Sequence, residues 1–541
     1  GLSAGPVRDV KLFSGKLVVL KNDSLFVQSG VSWTPFFSPG SPISSISVSE
    51  NKLLVTVSGQ TNPSVIVVNA AGASENNLQH ALLRIPLQAK LWQNTVWVAD
   101  SISGLVSAAG NSFRQFQPNS PQSSLPGAMA TRNKTIWYAA GRGVDRFRDE
   151  EWKSFSEKNT PPIANMPDLL SPAISADGSL YVGSNGGGML QLKEDGSVVI
   201  FRQASPLEPS LSNQNHYRVT GLAFDTENNL WIANSGAANN LAVKKADDSW
   251  RKFFVPFTIP DNAVSQIVID DINQKWIIAP GNGLICFNHG LTIDNPGDDR
   301  WKMFRTGKGS GNLPDNAVLS IAKDRNGFIW VGTARGIGII QCPQEVFSPA
   351  GCEAILPVVQ QDNFAGYLFR DEKVQAIAVD GADRKWIGTA NGVWLISADG
   401  AKTLERFTAG NSVLLDNNIN SIAIDEKTGE VFFSTAKGIC SYRGAATTGG
   451  EKTEDLLVFP NPVPPGYTGT IAIRGLVKDA TVKIVELNGR LVYQTRALGG
   501  QAVWNGKDYL GRTVSTGVYL VLISDDSRKE KAAARIVFIS K

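Results

Sequence analysis

Apolar and polar residues alternate along this chain in short blocks, and one arrangement of blocks recurs. At 321–340, "IAKDRNGFIWVGTARGIGII", an apolar-leaning run ends at Asp324 and the polar turn Arg325-Asn326-Gly327 follows. Ile329-Trp330-Val331, a Gly-Thr step, a second turn and a second apolar run complete the pattern. Nearly the same order returns at 377–396, "IAVDGADRKWIGTANGVWLI". Apolar positions spaced for a helix are almost absent, whereas short runs bounded by Asp, Asn and Gly predict strand, tight turn, strand.

Aligning on that pattern finds further copies. "LAFDTENNLWIANSG" carries Trp231, "IVIDDINQKWIIAPGNGLICF" carries Trp276, and "IAIDEKTGEVFFSTAKGICSY" places Phe432 in the aromatic slot. Upstream, degraded copies centre on Trp97, Trp137 and Tyr181, with fainter ones at Leu54 and Val18. That makes ten units, with equivalent positions about 36 to 56 residues apart. Units of this length with three or four short strands are the signature of β-propeller blades. A polar stretch and an aromatic strand follow the third strand, as in "DSWRKFFVPF" with Trp250 and Phe253, or "DDRWKMFRTG" with Trp301 and Phe304; this is read as the outermost strand. The repeated aromatic is read as the filler of the wedge between sheets rather than a ligand contact.

Rings usually hold four to eight blades. The last seven units, 125–445, therefore predict one seven-bladed ring. The three units within 1–124 are assigned to a second, partial or divergent ring, a single ten-bladed ring being the alternative. The pattern changes at "GAATTGGEKTED", which is small, polar and Gly-rich, and 446–455 is read as an accessible linker. Beyond it, 456–541 is dominated by period-two runs such as "TVKIVEL" and "GVYLVLI". Asn488-Gly489 between two of them is a strong hairpin signal. About seven strands in so few residues predict an antiparallel β-sandwich of Ig-like type. The fold class is thus all-β, propeller blades followed by a sandwich.

Composition narrows the function. The chain has 541 residues, too many for one core, with 52 Gly and 19% charged residues. A net charge of +3 and no basic block interleaved with aromatics argue against nucleic acid as a partner. No run of 18 apolar residues predicts a transmembrane helix. The start, Gly1-Leu2-Ser3, is read as a processed form or one that has lost a signal peptide. Cys342 and Cys352 bracket one loop, "CPQEVFSPAGC", and are a disulfide candidate if the protein is exported. Such a loop would contribute about 3 kcal/mol in the chain-entropy model. Cys286 and Cys440 sit at one repeat position in apolar runs and read as small buried hydrophobes.

Candidate chemistry is sparse. His80, His216 and His289 lie in unrelated contexts that suggest no metal site. "GSNGGG" and "GKGSGN" lack the Gly-Lys-Ser/Thr of a phosphate loop. Asp324 and its equivalents begin like a calcium loop but lack the closing Glu, so they read as Asx-type turns. No catalytic, metal or cofactor-binding residue is assigned, and the expectation is a protein that is not an enzyme.

Two resemblances extend this reading. Units within 219–443 resemble the two-component-regulator type of propeller repeat, carried by "LPDNAVLSIAKDRNGFIWVGTARGIGII". The C-terminal segment resembles the type A sorting domain of the type IX secretion system of Bacteroidetes. The carrying residues are Phe459 with Pro460, Asn461 and Pro462, "VELNGRLV" around Gly489, and "WNGKDYLGRTVSTGVYLV" with Gly511, Gly517 and Tyr519, before a last strand running to Lys541. That resemblance implies export by the Sec route and passage to the cell surface. Propeller blades followed by this domain are similar to the PorZ family. The likeness implies a surface component of the attachment machinery that retains its sorting domain and works with sortase and shuttle proteins and anionic lipopolysaccharide. Rival readings are a secreted surface adhesin or glycan- or protein-binding propeller that is ordinary type IX cargo, and a periplasmic sensor propeller of a two-component system.

Overall fold

The computed structural model describes the whole chain except residues 1, 3, 4, 60, 61, 117, 124, 158, 204, 362, 363, 525–529 and 541. It divides into two compact units, 1–120 and 121–541.

The first unit holds three antiparallel four-stranded sheets, spanning 7–37, 43–78 and 86–116, each a simple meander. Alternation along the strand Lys52–Val57 sends Leu53 and Val55 toward the first sheet, where they meet Phe13, Val18 and Leu20. Leu54 points the other way and meets Val96, Val98 and Val106 of the third sheet. The middle sheet is therefore apolar on both faces.

In the second unit seven blades succeed one another: 128–156, 169–201, 217–253, 267–304, 318–340, 376–407 and 419–443, here called blades 1 to 7; blades 2 and 3 are joined into one eight-stranded sheet where Asn185 and Gly186 pair with Arg218 and Tyr217. Their first strands form a cycle, each beside the next and the seventh, Ile419–Asp425, beside the first, Ala128–Arg132. Three bonds close that ring. Thr131 Oγ1 donates to the Ile424 carbonyl (2.7 Å), Ser421 Oγ to the Gly127 carbonyl (2.7 Å), and the Gly127 N–H to Ser434 Oγ (3.0 Å). Blades 5 and 7 have three strands, so the aromatic fourth strand expected of every unit is not universal.

The recurring pattern has a structural meaning. Its Asp ends the first strand and its Trp lies on the second. In blade 5, Asp324 Oδ1 accepts the N–H groups of Asn326 and Phe328 (both 2.9 Å) and so shapes the turn. Its Oδ2 accepts Trp330 Nε1–H at 2.9 Å. The same clamp joins Asp225 to Trp231 and Asp270 to Trp276 at 2.9 Å, and Asp380 to Trp386 at 3.1 Å. All four indoles are fully buried and pack against the following blade; Trp231, for example, meets Ile277 and Phe287 of blade 4. The Asp thus satisfies the indole N–H, which lets a large ring fill the wedge at no polar cost.

The sandwich places strands Leu457–Phe459, Ile471–Arg474 and Gln501–Trp504 in one sheet. Leu491–Arg496, Thr481–Glu486, Gly517–Ser524 and Glu530–Phe538 form the other. Ile473, Val482, Ile484, Trp504, Val521 and Ile536 fill the space between them. Asn488-Gly489 makes the turn between 481–486 and 491–496. The last strand ends at Phe538; Lys541, where the sequence reading ended it, lies outside the described residues.

Candidate functional site

Of the residues carrying the sorting-domain resemblance, Pro460, Asn461 and Pro462 lie along the last strand. That strand is the edge of its sheet, with unpaired N–H and C=O groups that need covering. The segment after Phe459 covers it. Asn461 Nδ2 donates to the Arg535 carbonyl and Asn461 Oδ1 accepts the Val537 N–H, both at 2.9 Å. The Val463 N–H then bonds the Val537 carbonyl (2.8 Å) and the Ile539 N–H the Val463 carbonyl (3.1 Å). Pro460 and Pro462 flank Asn461 and have no N–H to leave unpaired. Both follow cis peptide bonds. Tyr519 is buried against Trp504, ring centroids 5.8 Å apart, and its hydroxyl donates to the Ser515 carbonyl at 2.8 Å. Gly489 and Gly511 occupy exposed turns, and Gly517 opens the strand carrying Tyr519. These residues therefore build one edge cover and one end of the sandwich, where Tyr519 lines a cavity of about 380 Å³ with Glu486, Arg490, Asp508 and Arg512.

The stretch expected to be an accessible linker is accessible only in part. Ala446 and Thr447 are buried. Thr447 donates its N–H to the Leu498 carbonyl (3.3 Å) and accepts the Gly500 N–H (2.8 Å), so the chain leaving blade 7 pairs directly with the sandwich. Gly450 pairs with Val477, and only 451–455 is exposed throughout. The close approach needs glycine. A Cβ on Gly499 would lie 2.1 Å from the Thr447 carbonyl oxygen and 2.4 Å from that of Gly381, on a backbone at φ +62°. A Cβ on Gly381, in the first turn of blade 6, would meet the Thr447 carbonyl at 2.0 Å. Ring, connecting segment and sandwich thus stack three backbones deep.

Side chains from the first turns of blades 5 to 7 complete this seat. Arg325 of blade 5 donates to the Asp380 carbonyl (2.8 Å), to Glu426 (3.1 Å) and to Thr448 Oγ1 (2.8 Å). Arg474 of the sandwich donates to the Thr428 carbonyl (2.7 Å) and to Gln501 (2.5 Å). Desolvation lowers the Arg474 pKa, with nearby Arg443 adding to the effect. Sequence reading missed this seat. Its members are single residues in turns already explained by the repeat, and only folding brings blades 5 to 7 against residues 498–501.

The structure joins Cys342 to Cys352, with S–S 2.07 Å and Cα atoms 5.8 Å apart, in the loop after the third strand of blade 5. Cys286 is buried, with its Sγ 3.0 Å from Gln274 Oε1, whereas Cys440 is only half-buried. His289 packs beside buried Lys275, Nζ to Nδ1 2.7 Å. Burial, together with the charge of Lys275, pulls the His289 pKa down to about 4. Burial likewise pulls Lys275 down to about 7, against the raising effect of Asp225 and Asp270. His80 stacks on Phe113 in the first unit, and His216 lies beside Gly186 of blade 2.

Comparison with known proteins fits this geometry. Residues 312–335 match the two component regulator propeller family. No curated protein matches the chain. Among solved structures, PorZ of Porphyromonas gingivalis, described as an essential bacterial surface component of the type-IX secretion system, superposes with a TM-score of 0.74. The alignment covers 98% of this chain and 75% of that one at 23% identity. The fold is PorZ-like. The extracellular domain of a hybrid two-component system protein, BT3049, from B. thetaiotaomicron aligns at 12% identity over 100% of this chain and 79% of that one, TM-score 0.44. Virginiamycin B lyase from Staphylococcus aureus aligns over 59% of this chain and 94% of its own at 12% identity, TM-score 0.44. Propeller blades and a terminal sandwich in one chain therefore have a solved counterpart. No helix in the described residues is long and apolar enough to cross a membrane.

Proposed function

We propose that this chain is a non-enzymatic cell-surface component of the type IX secretion attachment machinery. It binds partner proteins, the sortase and shuttle components, and anionic lipopolysaccharide while cargo is processed and anchored. The observation that carries this reading is the seat of the sandwich. A sorting domain meant for removal needs an open, extended connection that a protease can enter. Here the connection is paired and buried through Thr447, glycines at 381 and 499 bring three backbones into contact, and Arg325 and Arg474 bridge from either side. That construction suits a module kept for docking. The PorZ-like order of domains supports the same reading, as do the paucity of clustered histidines and the structural role of every repeated Asp.

The rival is ordinary cargo, an adhesin that loses its sandwich. The exposed stretch 451–455 is where such a cut would fall. Mass spectrometry of the native surface protein separates the two. A mature form that retains Phe459 onward supports the attachment role, and deleting the gene should then leave other sorting-domain proteins unprocessed. A form ending between 451 and 455 overturns it.

A further inference from the structure

The wedge between blades 2 and 3 departs from the rule that closes the wedges after blades 3 to 6. Blades 3 to 6 each present a Trp held by an Asp six positions earlier. In blade 2 those positions are Tyr181 and Ser175, and Ser175 bonds Asp177 and the Ser179 carbonyl instead. In two wedges the following blade adds a buried lysine: Lys275 lies 4.1 Å from the centre of the Trp231 ring, and Lys385 lies 4.8 Å from that of Trp330. The corresponding residue of blade 3 is Leu230. Wedges further along are also roofed. Ile293 closes over the one after blade 3, and Val346 and Cys352 of the disulfide loop close over the one after blade 4. After blade 2 the turns at 193–197 and 245–249 are tight hairpins that roof nothing. A cavity of about 530 Å³ opens there.

Its walls are rings and its rim is polar. Tyr181 and Phe224 meet edge to face at 5.5 Å, and Phe201 and Trp250, from the outer strands of the two blades, lie 5.8 Å apart and half-buried. Asp177, bonded to Ser175 and Ser179, supplies a carboxylate, Lys244 and Asp248 form an ion pair at the rim, and Lys193, Gln191 and Asn228 add an ammonium group and two amides. Burial, with Asp177 and Asp248 nearby, raises the Tyr181 pKa to about 12, so its hydroxyl stays neutral.

The geometry points to a site for a short oligosaccharide, one or two pyranose rings. The volume lies within the range of small-molecule sites. A wholly apolar ligand would strip water from the lysines and carboxylates without replacing it. A ligand of one charge sign meets both signs at the rim. Sugar hydroxyls donate and accept, and so serve every group there. The C–H faces of a pyranose ring cover aromatic rings of this kind, and Trp250 and Phe201 offer two. This assignment does not rest on the attachment role, since it follows from the wedge alone.

Saturation-transfer NMR of the full chain with cellobiose, lactose, mannobiose and diacetylchitobiose tests it. Transfer to the ring protons of at least one disaccharide is expected. Its affinity should fall at least about tenfold in Trp250→Ala, as for a central aromatic anchor. A second variant, Ser175→Asp with Tyr181→Trp, rebuilds the clamp seen in blades 3 to 6 and fills the cavity while keeping the blade folded; it should lose the transfer as well. If Trp250→Ala unfolds, the filled variant decides. No transfer to any of the four sugars overturns the assignment, and so does transfer that survives filling. Either result leaves the attachment role standing, because the mass of the surface protein tests that separately.

Discussion

Lys275 and Lys385 occupy the same repeat position, directly before the Trp of their blades, and both are fully buried. Their surroundings differ, and so should their replacement by Met. Lys385 Nζ lies 3.1 Å from Asp324, 3.2 Å from Asp383 and 2.6 Å from the Ala398 carbonyl. Removing it leaves two carboxylates beside each other without their cation, a loss of about 3–5 kcal/mol. Lys275 has no carboxylate within ion-pair distance among the described residues, and its pKa is pulled to about 7 by burial. The unfolded chain holds that proton up to about pH 10.5, so between 7 and 10.5 the unfolded state binds more protons and stability rises with pH. A shift of this size corresponds to a penalty of order 4–5 kcal/mol below pH 7, fading across that window. Lys275→Met removes the penalty along with the hydrogen bonds to His289 and Asn273. It should be tolerated or stabilising at pH 6 and progressively destabilising toward pH 9. Lys385→Met should cost about the same at both. Amide hydrogen exchange of strands Lys275–Ala279 and Lys385–Thr389, corrected for intrinsic rates, reads each blade by itself. Equal losses for the two variants, or a Lys275→Met effect that does not change with pH, would refute the reasoning.

Other expectations follow from the same contacts. Trp330→Ala should cost about 3–5 kcal/mol, and Trp330→Phe about 1–2 kcal/mol because Asp324 loses one donor, both read by urea unfolding followed at blade 5. Replacing Cys342 and Cys352 by Ala should cost about 3 kcal/mol in oxidised protein and nothing once the parent is reduced. Gly499→Val should unseat the sandwich, so that limited proteolysis, confined to 451–455 in the parent, spreads into 446–450. Asn461→Ala should expose the edge of the last strand and raise amide exchange at Val537, leaving the ring unchanged.

How much of this was legible in the sequence depends on how local its cause is. The blade pattern was legible because each Asp and Trp is bonded within its own hairpin, six residues apart. The Asn488-Gly489 hairpin was legible for the same reason, as were the two cysteines that share one loop. The number of blades followed from counting those local units. Tertiary structure decided whatever depends on residues far apart in the chain. The ring closes because Thr131 and Gly127 bond residues some three hundred positions later, and nothing near either residue announces it. The connection at 446–455 read as a linker because its composition is polar and small. The same smallness admits a neighbouring backbone, and only the arrival of Gly381 and Gly499 turns the stretch into a seat. The cavity after blade 2 lies between these cases. Tyr181, Ser175 and Leu230 could each be seen to depart from the repeat, but departures in two blades become one site only where the wedge brings them together.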